Sequence, residues 1–338
     1  MKTSKLIPFL AKAIQAKRPV MLVGQPGAAK TAAMEQAAEI AKADLLTVHA
    51  VTSDPTDAKG LPFKEKDKGY AEFVPFGDLQ KMIEAKKLLV VFLDDFGQAA
   101  PAVQASYMQL ILARRINGHK VSDHVVFMAA TNRRGDKAGV TGILEPVKSR
   151  FTSIIHLKID LEDWVEWAIA NKIPQVLISY MRFKPFVDDD FQPTSDLTNG
   201  LSPRTVAHLG MLMNDGIIDG QDLTTDGEVI KGCIGEGRGN EFAGFMRIWQ
   251  DLPDVDDLIS NPETADMPKD LNVLHATIGS IVEKAHIDNM SNIVKLGLRF
   301  EHEEFQTILL MDCVRKNKLL ARNKDYKTWL AKNSKYLV

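Results

Sequence analysis

Cysteine is scarce in this sequence: Cys233 and Cys313 are the only two in 338 residues. They lie far apart and share no metal-ligand spacing, which argues against a disulfide scaffold and a thiolate metal site and suits a reducing compartment. Long apolar runs are also missing. No stretch approaches the ~18 consecutive apolar residues of a membrane span, so no membrane partner is expected. The N-terminal Met-Lys-Thr-Ser-Lys-Leu-Ile-Pro has no apolar core for a signal peptide, and a cytoplasmic address is expected. Charge of one sign is lacking: 42 basic against 44 acidic side chains leave a net −2, so no global basic field points to nucleic acid. There is no repeat and no low-complexity tract. The acid-rich Asp251-Leu-Pro-Asp-Val-Asp-Asp lacks the glycine and spacing of a calcium loop. The 45% hydrophobic and 25% charged content is that of a globular chain with material for one large domain or two moderate ones.

The chain is organised around Pro19-Val20-Met21-Leu22-Val23-Gly24-Gln25-Pro26-Gly27-Ala28-Ala29-Lys30-Thr31. A short apolar run reads as a buried parallel strand, a glycine-containing turn follows, and Ala32 to Ala43 is rich in strong helix formers. Strand, turn and helix are the setting that a phosphate-binding loop of the form G-x-x-x-x-G-K-[ST] requires. Backbone N–H groups of such a turn converge, and the helix N-terminus adds about half a positive charge. Gly24, Gln25, Pro26, Gly27, Ala28 and Ala29 would then cradle the phosphates of ATP. Lys30 would reach the β- and γ-phosphates and Thr31 would hold Mg²⁺. Ala29 stands where the pattern has its second glycine.

The second landmark is Leu88-Leu89-Val90-Val91-Phe92-Leu93-Asp94-Asp95, an apolar strand ending in paired acids. In open α/β sheets, ligands bind at that C-terminal edge. Asp94 is read as the acceptor of Mg²⁺ and Asp95 as the carboxylate that polarises an attacking water. Between the landmarks, residues 63 to 76 read as a hairpin with a charged tip. After them come a helix over 101 to 114, a strand at Val125 to Asn132, and a helix carrying Glu145 to Phe151. A last strand follows at Ser153 to Leu157. Beyond Asp160 the pattern turns helical, through a Pro- and Asp-rich loop at 184 to 203 and an acidic connection at 251 to 270. Gly232 to Gly239 follows no strand and reads as a turn ahead of a helix at 240 to 250. From Arg315 onward basic residues outnumber acids, interleaved with Tyr326, Trp329 and Tyr336.

These motifs, in this order, resemble the AAA+ ATPases and, within them, the MoxR-type group of bacteria and their phages. In that group an alanine commonly precedes the loop lysine. Leu93-Asp94-Asp95 is similar to the Walker B motif, with Asp95 where glutamate is usual. Ala130-Thr131-Asn132 is similar to the sensor-1 strand, Lys148-Ser149-Arg150-Phe151 to the arginine-finger segment and Ser202-Pro203-Arg204 to sensor 2. The resemblance implies catalytic roles for Asp95, Asn132, Arg150 and Arg204, with Arg133 and Arg134 as further candidates for the finger role. It implies an α/β P-loop NTPase (ASCE/AAA+) three-layer sandwich over 1–158, a smaller all-α lid over 159–312, and a basic extension over 313–338. It further implies hydrolysis of ATP with Mg²⁺ at the subunit interfaces of a hexameric homo-oligomer that remodels a protein client, with a von Willebrand A-type partner in many relatives. In a phage-encoded chain the address would be the host cytoplasm. The hairpin tip, Lys64 to Lys68, would face the pore. A nucleic-acid-linked ATPase of the helicase-loader kind is the alternative that the basic, aromatic C-terminus favours. An ATP-gated scaffold with little turnover is the alternative that Asp95 favours.

Overall fold

Apolar runs that end in polar residues become strands in the computed structural model, which describes residues 1–64, 69–136, 139, 142–186 and 197–333. In chain order these are β1 (Val20–Val23), β2 (Asp44–His49), a hairpin of β3 (Leu61–Lys64) and β4 (Ala71–Val74), and β5 (Leu89–Asp94). A small hairpin of β6 (Arg115–Ile116) and β7 (His119–Lys120), then β8 (Val125–Thr131) and β9 (Ser153–His156) follow. Five of them form one sheet in the order β2-β5-β8-β1-β9, with every pairing parallel. All seven residues of β8 are buried, as expected for an inner strand covered on both faces.

The strand period of two sorts side chains to the two faces. Val90, Phe92, Val126 and Met128 pack with Leu6, Leu10, Met34 and Ala37 from the helices Thr3–Gln15 and Lys30–Ile40. Their neighbours Val91, Leu93, Phe127 and Ala129 pack with Leu79, Val103 and Leu110 from the helices Gly77–Glu84 and Pro101–Ala113. The result is the expected three-layer P-loop NTPase sandwich, which belongs to the compact unit Met1–Asp160. Register places Val23 opposite Thr131 and His49 opposite Asp94, so the loops after β1, β5 and β8 leave from one edge of the sheet.

Residues Leu161 onward form a second unit, and among its described residues every regular element is helical. Short polar side chains start these helices. Ser202 caps Pro203–Asn214 in a capping box with Thr205, and Asp222, Asp254, Asp270 and Asn323 cap four further helices. Each such cap contributes about 1 kcal/mol.

Several boundaries differ from expectation. The helix expected through Phe151 spans only Glu145–Lys148. The stretch Gly232 to Gly239 is mostly helical: Gly235, at φ 86°, joins the helices Leu223–Ile234 and Glu236–Gln250. Gly239 has a packing reason, since a Cβ there would lie 2.8 Å from Lys231 Cα. The acidic connection contains the helix Val255–Ser260. At the C-terminus, Cys313, Leu320, Tyr326 and Trp329 share a core cluster with Ile281, Met290 and Leu309. The segment is therefore packed into the second unit, and neither Tyr326 nor Trp329 presents a free ring for stacking on a base. Tyr336 lies outside the described residues.

Candidate functional site

The loop leaves β1 at Gly24, whose N–H donates to Thr131 O at 3.2 Å and so ties the loop to the neighbouring strand β8. Gly27 (φ 75°) and Ala29 (φ 62°, ψ 33°) both take the left-handed conformation that turns the chain into the helix Lys30–Ile40. Alanine pays a steric cost of about 1 kcal/mol there that glycine would not. The N-cap residue Ala29 supplies no side-chain cap and the first turn holds no acid. The amide groups at this helix start are not claimed by a side chain, in contrast to the Asp-, Ser- and Asn-capped helices of the second unit.

Lys30 is only 7% exposed. Its ammonium donates to Gly24 O and Gln25 O at 3.0 Å each and to Asn132 Oδ1 at 2.5 Å. Thr31 Oγ1 donates to Asp94 Oδ2 at 2.9 Å. Asn132 turns its amide the other way, Nδ2 donating to Asp95 Oδ1 at 3.4 Å. The order of that amide is chemically fixed, because its oxygen must face the ammonium and its nitrogen the carboxylate. Asp95 itself sits at φ 51°, ψ 34°, a region short acids tolerate better than other side chains. Three separate loops thus bring Lys30, Thr31, Asp94, Asp95 and Asn132 into one hydrogen-bonded set, although the sequence separates Lys30 from Asn132 by 102 residues.

The expected arginines are arranged differently from one another. Arg133 is committed to its own loop: Nε donates to Asp136 Oδ1 at 2.9 Å and Nη2 to Gln25 Oε1 at 3.1 Å. Asp136 is buried, so the ion pair also steadies the turn after β8. Arg134 is exposed. Arg150 donates through Nη1 to Pro146 O, in the helix Glu145–Lys148 that precedes it, and its Nε is buried without a partner among the described residues. Arg204 is exposed near the start of the helix Pro203–Asn214, in the second unit.

Sequence reasoning missed two contributors, Asp136 and Gln98. Asp136 holds Arg133 against Gln25, and Gln98 donates through Nε2 to Asp95 Oδ1 at 3.0 Å. The only signal for Gln98 was its place three residues after Asp95, which brings the two together in the 3₁₀ turn Phe96–Gln98. The β3–β4 hairpin is present, its strands two residues earlier than expected and all eight strand residues exposed. Its tip, residues 65–68, lies outside the described residues.

No curated protein matches the chain. Among solved structures, the chain is similar to the RuvB Holliday junction branch migration motor of Thermotoga maritima, at 15% identity and a TM-score of 0.42, over 86% of this chain and 83% of that one. It is similar to a putative ATPase from Cytophaga hutchinsonii at 14% identity and a TM-score of 0.35, over 90% and 79%. NtrX of Brucella abortus, solved in complex with ATP, is similar at 12% identity and a TM-score of 0.44, over 99% and 68%. Residues 20–159 match the family described as ATPase family associated with various cellular activities (AAA). That span holds the whole sheet, the glycine-containing loop and both acids, and the first unit therefore carries an AAA domain.

Proposed function

We propose that the chain is a MoxR-like AAA+ ATPase that hydrolyses ATP with Mg²⁺ between the subunits of a hexameric ring and uses the energy to remodel or assemble a protein partner. The observation that carries the reading is the joined set of Lys30, Thr31, Asp94, Asp95 and Asn132 beside an uncapped helix N-terminus.

The chemistry follows from the positions. Phosphoryl transfer to water needs little covalent help; it needs placement and charge stabilisation. The loop amides and Lys30 bind the phosphates. The Lys30 ammonium already makes three hydrogen bonds, so phosphate takes the place of at least one of them. Asp95 then accepts the proton of the attacking water while Asn132 orients it. Thr31 Oγ1 and Asp94 form a hard oxygen donor pair suited to Mg²⁺, which would supply charge neutralisation on the phosphates. Arg204 serves as the sensor of bound nucleotide in the lid. Arg133 faces its own loop, which favours Arg150 as the guanidinium offered to the neighbouring subunit. The exposed strands of the hairpin support the reading of a client-contacting element in the ring.

The test is sedimentation with and without ATP–Mg²⁺, combined with phosphate release, for wild type, Lys30→Ala and Arg150→Ala. Lys30→Ala should lose nucleotide. Arg150→Ala should bind ATP yet hydrolyse it on the order of 10³-fold more slowly. A wild type that takes up no ATP at millimolar concentration overturns the proposal. Client contact by the hairpin is tested separately: alanine substitutions at Lys64, Lys66 and Lys68 that leave client processing intact rule it out.

A further inference from the structure

Gln98 has no part in the roles assigned above, and its surroundings are tightly specified. The turn that carries it is held at every residue. Phe96 is fully buried and packs edge-on against Tyr107, with ring centroids 6.3 Å apart at 86°. Gly97 lies so close to β8 that a Cβ there would sit 2.1 Å from Thr131 Oγ1. Gln98 N–H donates to Asp95 O at 2.9 Å, and Ala99 N–H to Phe96 O at 3.3 Å. A backbone so fixed delivers the Gln98 side chain to one place, where Nε2 reaches Asp95 Oδ1 at 3.0 Å.

The amide is only half satisfied. Oε1 of Gln98 is buried and has no hydrogen-bond partner among the described residues. A buried carbonyl oxygen without a partner is destabilising, and an apolar side chain of the same length would not carry that cost. Among the described residues, what glutamine supplies here that an apolar side chain would not is its hydrogen bond to Asp95. Two amides, Gln98 Nε2 and Asn132 Nδ2, converge on the same oxygen, Oδ1. Neither bond uses Oδ2, so that oxygen is left to face water.

We propose that Gln98 is a positioning residue for ATP hydrolysis, holding the Asp95 carboxylate by Oδ1 so that Oδ2 receives the proton of the attacking water. The inference rests on the ATPase reading and deepens it. Of the two amides on Oδ1, Asn132 makes the longer bond, 3.4 Å against 3.0 Å for Gln98, and its own oxygen is engaged by the loop lysine. Gln98 reaches Asp95 from the Phe96–Gln98 turn, on the same loop as the carboxylate it holds.

The test uses the full chain as wild type, Gln98→Met, Asp95→Asn and the double variant. ATP affinity, kcat for phosphate release at saturating ATP–Mg²⁺, and thermal midpoint are measured for each. Gln98→Met should lower kcat by about 10- to 100-fold, the scale of misplacing a reacting group, with ATP affinity unchanged and the thermal midpoint at or above wild type. In the Asp95→Asn background the same change should cost nothing further, since the residue acts through Asp95. A Gln98→Met protein with wild-type kcat overturns this inference alone, as does one whose kcat and thermal midpoint fall together. A wild type without Lys30-dependent phosphate release overturns the ATPase reading, and this inference with it.

Discussion

In the second unit, the Arg182 side chain is 4% exposed and that of Asp312 1%, and they meet in a two-pronged pair with both contacts at 2.7 Å. Arg182 also donates to Glu162 at 2.7 Å, and Arg315 closes the set through Glu162 at 2.7 Å and Asp312 at 2.9 Å. The charges alternate and cancel, and the cluster ties together the helices Leu161–Ala170, Gln175–Phe183 and Glu303–Lys316. Burial alone would raise the Glu162 carboxyl, but Arg182 and then Arg315 outweigh it and bring it down to about 2. The polar set of the first unit is built otherwise. It leaves Gln98 Oε1 without a partner among the described residues, joins Asn132 to Asp95 by a long 3.4 Å bond, and holds Ala29 and Asp95 at φ 62° and 51°. A saturated cluster resists change, because any new partner must displace a good one. A strained and partly satisfied one can exchange partners, which a site that takes up and releases phosphate requires.

The contrast can be broken from either side, and the largest effect is expected in the second unit. Arg182→Met takes the two-pronged partner from the buried Asp312, leaving it only the single Arg315 contact, and should cost about 3–5 kcal/mol, read from urea unfolding. A loss under about 1 kcal/mol would mean that the cluster is not a stabilising clamp. In the first unit, Gly97→Ala forces a methyl group against Thr131 and should cost about 1–3 kcal/mol, with hydrolysis falling more steeply than stability. If stability alone fell, the turn would have no bearing on Asp95.

Acid should weaken the second unit first. Burial, then the Arg182 charge, depress His275 from 6.5 to about 4. The unfolded chain therefore binds the extra proton between those values, and stability is lost as pH falls from about 6.5 toward 4. Glu162, depressed from 4.5 to about 2, extends the loss below pH 4.5. His275→Phe should flatten the upper part of that decline, and an unchanged profile by circular dichroism would remove His275 from the account. The smallest effect is expected for Ala29→Gly. Relief of left-handed strain, about 1 kcal/mol, is largely offset by the greater entropy of unfolded glycine. The net change should stay under about 1 kcal/mol, and a marked loss of stability on calorimetry would show that the Ala29 methyl group packs usefully.

Much of the first unit was legible because its signals are local. The run from Val20 to Val23, the turn and the helix from Lys30 could be read in sequence, as could Asp94 at the end of β5 and Asn132 just past β8. The second unit was legible as helical, although the Ser202, Asp222 and Asp270 caps that start three of its helices were not singled out. Its interior was not legible. Arg182 and Asp312 are 130 positions apart, and neither carries a mark in sequence that separates it from a surface charge. Tyr326 and Trp329, in a basic segment that invited a nucleic-acid reading, are buried for the same reason: burial depends on what lies across from a helix, not along it.

The order of residues alone set the strands, the phosphate loop and the division of side chains between the two sheet faces, since these depend on neighbours within a turn or two and on a period of two or 3.6. Tertiary structure decided which polar groups meet. A hydrogen bond needs its atoms within about 3 Å and correctly aimed. Only the pairing of β8 with β1 on one side and β5 on the other aims Lys30 at Asn132 and Asn132 at Asp95, while the turn braced on β8 aims Gln98 at the same carboxylate.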